Sequence, residues 1–427
     1  MLRLQLHWQI LIALVLAVIA GRWSGMDGAI LGIKLYPVYE FVGALFMNAL
    51  KMIIVPLIVS TIITGVSGLG NTQGLGRLGG KTLLFYLVTS LLAIMVGLMF
   101  VNLISPGIID GQPAREVLGL SEAAASEAAE KVQGRSAGDL TGVFLSMVPP
   151  NVVAAAADGQ MLGLIFFSLL FGYFLTRIDR EAGDLISRFW SGVADIMMAM
   201  TVLIMKFAPL GVFGLVAKTV ASIGAEQLND LAYTLGGFTL SVLVALAFHV
   251  FITLPLLLWL VGRVNPLKQF QAMMPAMLTA FSTASSSATL PLTMECVRDN
   301  AKVSNRTASF VLPLGATVNM DGTALYECVA AMFIAQAYGL QLDLVTQFTV
   351  VLVALLTSIG VAGIPAASLV AITIILATIG LPAEAIGLIL AVDRILDMFR
   401  TSVNIFSDSC GAVIIARTEG EEDVLRG

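Results

Sequence analysis

Charge is what this chain has least of. Charged residues make up 12% of its 427 positions, about half the share found in soluble domains. With 58% apolar residues and a mean hydropathy of +0.94, that scarcity excludes an ordinary water-soluble domain. The net charge of −5 is small and spread out, which argues against a nucleic-acid partner. Histidine is nearly absent. His7 and His249 are the two present, and neither has a ligand set beside it in sequence. The three cysteines, Cys296, Cys328 and Cys410, lie in or beside apolar segments without metal-ligand spacing and read as small hydrophobes, so no His/Cys metal centre is expected. The same scarcity weighs against an intramembrane serine protease, which needs a Lys or His base beside its serine. No clear small-residue cleavage pattern follows the first apolar run, so it reads as a spanning helix rather than a signal peptide.

What the chain does have is long apolar runs. Eight are long enough to span a bilayer, near 7–25, 35–68, 79–104, 160–176, 187–221, 230–262, 307–338 and 385–417, each crossing needing about 20 residues. Two further apolar segments, 267–294 and 343–378, are interrupted by small residues and a proline: Ser285-Ser286-Ser287-Ala288-Thr289-Leu290-Pro291 and Ser358-Ile359-Gly360-Val361-Ala362-Gly363-Ile364-Pro365. Lys and Arg mark the cytoplasmic side: Arg3, Arg77, Lys81, Arg177, Arg180, Arg188, Arg263, Lys268, Arg298, Lys302 and Arg306. The loop 108–158 holds seven acidic and three basic residues and reads as external. Segment 338–392 carries only Asp343 and Glu384 and falls outside as well. The first interrupted segment therefore enters and leaves from the cytoplasm, and the second from outside. Two opposed re-entrant hairpins are the pattern of an inverted-repeat secondary transporter, where broken segments meet at the midplane; a mere kink in each is the competing reading.

The rare charges are concentrated. From Asp393, the residues Asp397, Arg400, Thr401, Asn404 and Asp408 stand at offsets 4, 7, 8, 11 and 15. At about 100° per residue these fall at roughly 40°, 340°, 80°, 20° and 60°, on one face of a helix. An arginine or carboxylate at mid-membrane costs about 2.5–3.5 kcal/mol, so this face must meet an ion, a polar ligand or its own ion pairs. The seventh run carries a second break, Gly315-Ala316-Thr317-Val318-Asn319-Met320-Asp321-Gly322-Thr323, where Gly, Asn and Asp favour local unwinding and hard oxygens suit a desolvated monovalent cation. Tyr86, Thr89 and Ser90 put three oxygens on one side of the third run, as helix–helix glue or as ion ligands.

Together these motifs, with Val148-Pro149-Pro150-Asn151 before the fourth run, resemble the dicarboxylate/amino acid:cation symporters, the family of animal glutamate and archaeal aspartate transporters. The likeness covers nearly the whole chain. It implies an all-α polytopic membrane protein with eight transmembrane helices and two re-entrant helical hairpins, working as an elevator within a homotrimer of the plasma membrane, both termini cytoplasmic. A scaffold of 1–70 and 159–222 would hold a moving unit of 71–107 and 223–418. Loop 108–158 would be extracellular and 419–427 a cytoplasmic tail.

By resemblance, Arg400 forks onto a side-chain carboxylate that Thr323 also contacts. Asp397 takes the amino group beside Thr401, and Asn404 and the backbone around Ser286 hold the main-chain carboxylate. Ser285, Ser287 and Ile364 at the hairpin tips line the same pocket. Three sodium sites map onto the chain. The first uses Asp408, Asn404 and the carbonyls of Gly315 and Asn319. The second uses carbonyls of Thr317, Ser358, Ile359 and Val361, the last replacing a frequent Thr. The third uses Tyr86, Thr89, Ser90, Asn319 and Asp321. Sodium is the expected coupling ion, with no other cofactor.

Substrate chemistry follows from charge. An unpaired Arg400 in a dry pocket is unfavourable, so the substrate side chain must be anionic. Asp397 asks for a cationic group. Both point to L-glutamate or L-aspartate rather than a plain C4-dicarboxylate; the alternative is a proton-coupled glutamate or C4-dicarboxylate symporter. Archaeal members carry an arginine where this chain has Ala284; here Arg394 in the eighth run supplies that charge, unless it simply pairs with Asp393. Glu327 stands where archaeal members have Gln and animal members have Glu, there linked to proton cotransport and potassium countertransport. Burial disfavours the charged form of a lone Glu, which suits a proton carrier; a Glu held by a neighbouring Ser or Tyr is the alternative.

Overall fold

The computed structural model describes residues 6–70, 76–118, 145, 147–158, 160–222, 228–340, 342–358 and 368–425. Most of them are helical. In chain order the helices are α1 (Leu6–Ser24), α2 (Leu35–Gly70), α3 (Gly76–Ile104), α4 (Ala114–Leu118), α5 (Val152–Ala157), α6 (Met161–Leu175), α7 (Arg180–Lys206), α8 (Ala208–Ser222) and α9 (Leu228–Phe248). After α9 come a π-helical turn at His249–Thr253, α10 (Leu254–Leu257) and a second π turn at Leu258–Gly262. Then follow α11 (Pro266–Thr283), α12 (Ser286–Glu295), α13 (Asn305–Val318), α14 (Asp321–Ala337), α15 (Leu344–Ser358), α16 (Ser368–Thr378) and α17 (Leu390–Thr418). Two small antiparallel ribbons interrupt the helices, β1 (Ala29–Ile30) with β2 (Ile33–Lys34) and β3 (Ile108–Ile109) with β4 (Gln112–Pro113). Their turns, Leu31-Gly32 and Asp110-Gly111, have positive φ at both residues, as a two-residue hairpin matched to strand twist requires.

Two sets of helices pack among themselves. α1 and α2 lie on α8, and α2 also lies on α6 and α7; α3, α9 and α17 enclose α14, while α17 runs along α11 and α13. The α2–α8 contact depends on missing side chains: a Cβ on Gly214 would sit 2.7 Å from the backbone nitrogen of Gly43. Small residues of this kind let membrane helices approach backbone to backbone.

Three helical stretches are long and apolar enough, among the described residues, to cross a membrane on length and composition: 77–104, 180–204 and 229–262. Three of the other runs are interrupted or charged. The run read as 187–221 is two helices broken at Phe207, because Pro209 lacks an N–H and enters at the first turn of α8. The run 307–338 divides at Asn319–Met320. The run 385–417 begins with a 3₁₀ turn at Ala383–Leu388, and its α-helix starts at Leu390. α17 carries too much charge for lipid, and it is buried instead: Asp393, Arg394, Asp397, Arg400 and Asp408 are all enclosed.

Beyond α17 the chain clasps the ends of other helices. Glu419 pairs with Arg77 at 2.8 Å and Lys81 at 2.5 Å, both on α3. Glu421 accepts from the Ser304 backbone N–H, the Ser304 hydroxyl and the Thr307 hydroxyl at the start of α13. Hydrogen bonds from Arg77, then Lys81, hold the Glu419 carboxyl down at about 2. A carboxyl depressed in the folded state stabilises above the ordinary carboxylate range and loses that contribution as pH falls toward 2. Glu419→Gln is therefore expected to lower the melting temperature slightly at neutral pH, with the difference shrinking in high salt; thermal melts at two ionic strengths check it.

Candidate binding site on the buried helix

The stripe of polar residues on α17 faces inward. Arg400 is wholly buried. Its Nη2 donates to Asp397 at 2.9 Å and Asp393 at 3.2 Å, its Nη1 donates to the Ser368 hydroxyl at 2.9 Å, and its guanidinium carbon lies 3.8 Å from the ring centre of Tyr326. Tyr326 in turn donates its hydroxyl to Asp393 at 2.8 Å. Stacking on one face and forked donation at the edge are what a guanidinium supports and an ammonium does not. The Nε of Arg400 has no hydrogen-bond partner among the described residues.

Arg394 is placed beside this centre. Its Nη1 donates to Asp397 at 3.1 Å, so the alternative pairing with Asp393 is corrected: Asp393 belongs to Tyr326 and Arg400. The helical register explains this, because i,i+3 neighbours meet while i,i+1 neighbours diverge. Asp397 is thus bridged by two arginines, and the Arg394 Nε also lacks a partner among the described residues. Two carboxylates and two guanidiniums balance in charge while leaving buried N–H donors unmatched. Buried unmatched donors cost about 1–3 kcal/mol each; an anion with oxygen acceptors is the group that would relieve it.

Next along the stripe, Asn404 accepts from the Gly322 N–H at 2.8 Å and donates to Thr323 at 3.1 Å. Thr401 donates its hydroxyl to the Asp397 carbonyl of its own helix at 2.8 Å. At the first tip, Ala284 ends α11 in the left-handed region with φ 49°. Ser285 caps α12, its hydroxyl accepting from the Ala288 N–H at 3.2 Å; Ser286 is buried, whereas Ser287 is exposed. The start of α12 leaves backbone N–H groups without helical acceptors. The second tip, with Ile359, Val361 and Ile364, lies outside the described residues, while Ser358 just before it is buried.

Glu327 is buried on α14. Thr357 of α15 donates to its Oε2 at 3.0 Å, and its Oε1 has no partner among the described residues. The neighbour is therefore a threonine on another helix, which corrects the alternative of a Ser or Tyr.

Below the arginines, the break between α13 and α14 meets α3 and the rest of α17. Asn319 donates to Asp408 at 2.9 Å and to Ser407 at 3.0 Å. A Cβ on Gly315 would fall 2.5 Å from an Asp408 oxygen and 2.7 Å from the Tyr86 hydroxyl, so glycine is what admits that carboxylate. Thr317 belongs to the last turn of α13, whose carbonyls have few helical partners. Thr89 approaches Asn319 Oδ1 at 3.3 Å, and Ser90 donates to Asp321 Oδ1 at 2.7 Å. The Tyr86 hydroxyl, in contrast, donates to the Val311 carbonyl at 2.8 Å. Hydroxyls, amide oxygens and carboxylates converge here, a donor set that suits a hard monovalent cation.

His249 has no ligand set beside it in sequence, but the fold brings an aspartate to it. Its Nε2 lies 3.2 Å from Asp321 Oδ2, with both side chains fully buried. A separation of 72 residues leaves no local pattern to detect. Tyr326, Thr357, Ser368 and Ser407 were missed as well. Of these, Ser407 alone had a visible signal, sitting one turn from Asn404 and next to Asp408.

The model of the Sodium:dicarboxylate symporter family matches residues 6–418. The chain is 34% identical to the proton/sodium-glutamate symport protein of Geobacillus stearothermophilus, across 100% of this chain and 97% of that one. It is 34% identical to the proton/glutamate-aspartate symporter of Escherichia coli (strain K12), across 99% and 94%. It is 36% identical to excitatory amino acid transporter 3 of Homo sapiens, across 90% and 80%.

Proposed function

Because this chain belongs to the sodium:dicarboxylate symporter family, we propose that it imports L-glutamate or L-aspartate by symport with sodium. It is a membrane transporter and not an enzyme. The observation that carries the substrate reading is the fully buried Arg400, balanced by Asp393 and Asp397 yet retaining an unmatched Nε–H. A side-chain carboxylate takes the arginine fork, and the amino group competes for Asp397. Thr323 and Thr401 line the pocket. Asn404, with the N–H groups at the start of α12 around Ser285, Ser286 and Ser287, receives the main-chain carboxylate. Ile364 is assigned to the same substrate site by resemblance, and Arg394 supplies the second positive charge.

Sodium occupies the oxygen clusters below. One ion is assigned to Asp408, Asn404, Gly315 and Asn319, another to the carbonyls of Thr317, Ser358, Ile359 and Val361, and a third to Tyr86, Thr89, Ser90, Asn319 and Asp321. The chemistry of these groups supports the assignment, since each set offers oxygens of the kind that replace a hydration shell. The helical sets described above support a scaffold of 1–70 and 159–222 and a moving unit of 71–107 and 223–418. In this reading, eight spans and two opposed hairpins form an elevator, three copies form the assembly, and both termini face the cytoplasm.

Glu327 is the candidate for coupling to a proton or to potassium. Its bare Oε1 beside Thr357 supports a group that carries a proton in one state and yields it in another. Glu327→Gln is expected to flatten the pH dependence of uptake and to remove any stimulation by internal potassium; unchanged dependence on both would sink this role. The relatives named as proton/sodium and proton symporters keep a purely proton-coupled glutamate or C4-dicarboxylate symporter as the second reading. Uptake of labelled L-glutamate, L-aspartate and succinate into liposomes, driven by an inward sodium or an inward proton gradient, separates the two. Sodium-driven uptake of the amino acids supports the proposal, and proton-driven uptake alone overturns the sodium assignment.

A further inference from the structure

We propose that His249 is a positioning residue for the ion site built on Asp321, occupying one carboxylate oxygen so that the other is presented to sodium. This inference rests on the reading of Asp321 as a sodium ligand. His249 opens the π turn His249–Thr253, which packs on α3 and α17. A π turn inserts a residue into a helix, and such insertions recur at functional sites. Here the turn directs a fully buried imidazole to within 3.2 Å of Asp321 Oδ2.

The donors on Asp321 are unevenly shared. Oδ2 receives the Ser407 hydroxyl at 2.6 Å as well as the ring, whereas among the described residues Oδ1 receives Ser90 alone, at 2.7 Å. An ionised carboxylate offers about four acceptor positions and no donor, so the ring presents Nε2–H to it. Oδ2 is thereby filled. Oδ1 keeps a lone pair on the side of α3, where Ser90, Thr89 and Tyr86 stand. Ser407 also accepts from Asn319 Nδ2 at 3.0 Å, and Asn319 Oδ1 faces Thr89 at 3.3 Å. The histidine therefore anchors the far end of a chain of contacts whose near end is the proposed ion position.

A ring that merely fills space between α9, α14 and α17 would affect stability but not sodium. The test is the melting temperature of the purified protein as sodium replaces choline at constant ionic strength. An ion that binds the folded state stabilises it by RT ln(1 + c/Kd) at sodium concentration c, so that the concentration at which the rise sets in marks the midpoint, Kd. His249→Phe, which keeps an aromatic ring and removes the donor, is expected to raise that midpoint by about tenfold, the lower end for loss of a group that orients a ligand. His249→Gln, which retains an N–H donor, is expected to restore most of the affinity. His249→Met, close in size to glutamine but without a donor, takes the place of the phenylalanine variant if that one does not fold. A lower melting temperature at every sodium concentration with an unmoved midpoint would make His249 a space filler and overturn the inference. Asp321→Asn separates the two levels. If it shifts the midpoint while His249→Phe does not, the positioning role alone fails; if it leaves the midpoint unmoved, the ion assignment of Asp321 fails with it.

Discussion

Replacing Arg400 with lysine is expected to reduce uptake of L-glutamate and L-aspartate by at least about 100-fold at equal protein in the membrane. The charge survives in that variant; the shape does not. The guanidinium spreads its contacts over Asp393, Asp397, Ser368 and the face of Tyr326, and its Nε–H remains for a substrate oxygen. One ammonium cannot stack on the ring and also fork to a carboxylate. Alanine is a poorer test, because removing one partner of a buried ion pair costs about 3–5 kcal/mol and would strand two aspartates. Initial rates in liposomes, normalised to reconstituted protein, provide the measurement. Uptake by Arg400→Lys within about tenfold of the unaltered protein would mean that charge alone selects the substrate, against the planar recognition argued from geometry.

The second large effect is expected at Asp408. Asp408→Asn should raise the sodium concentration for half-maximal uptake by at least about 30-fold, equivalent to roughly 2 kcal/mol. The carboxylate is buried, accepts from Asn319 and is admitted by the missing side chain of Gly315. An asparagine fits the same space and removes the negative charge that offsets a desolvated cation. Maximal uptake at saturating sodium is expected to recover in part, which separates weakened ion binding from a damaged fold. Uptake whose sodium dependence is unaltered in Asp408→Asn would place coupling elsewhere, with Glu327 the first candidate.

How much of the site could be read in advance differs from residue to residue. Asp393, Asp397, Arg400, Asn404 and Asp408 were legible because helical periodicity puts them on one face, and because charge in an apolar run demands an internal partner. The break at Asn319–Met320 was legible from its Gly, Asn and Asp content. The split of one apolar run at Phe207 is not legible from hydropathy, which measures apolar content and ignores the missing N–H of Pro209. The partners of these groups were less accessible. Arg394 could equally have met Asp393 or Asp397 until the turn of the helix was known, and Tyr326, Thr357 and Ser368 read as ordinary members of their runs.

The sequence by itself determined that the chain is a helical membrane protein, that its few charges gather on one stripe, and that hard oxygens cluster at one break. These follow from rules that act within about 15 residues of chain: the cost of charge in lipid, helical periodicity and backbone propensity. Tertiary structure alone decided which oxygens converge at that break, which aspartate each arginine holds, and that a histidine from one helix reaches the aspartate of another across 72 residues. Those contacts depend on how helices distant in sequence pack, on a glycine narrow enough to let Asp408 in and on a π turn that aims His249. None of these leaves a periodic trace in the chain.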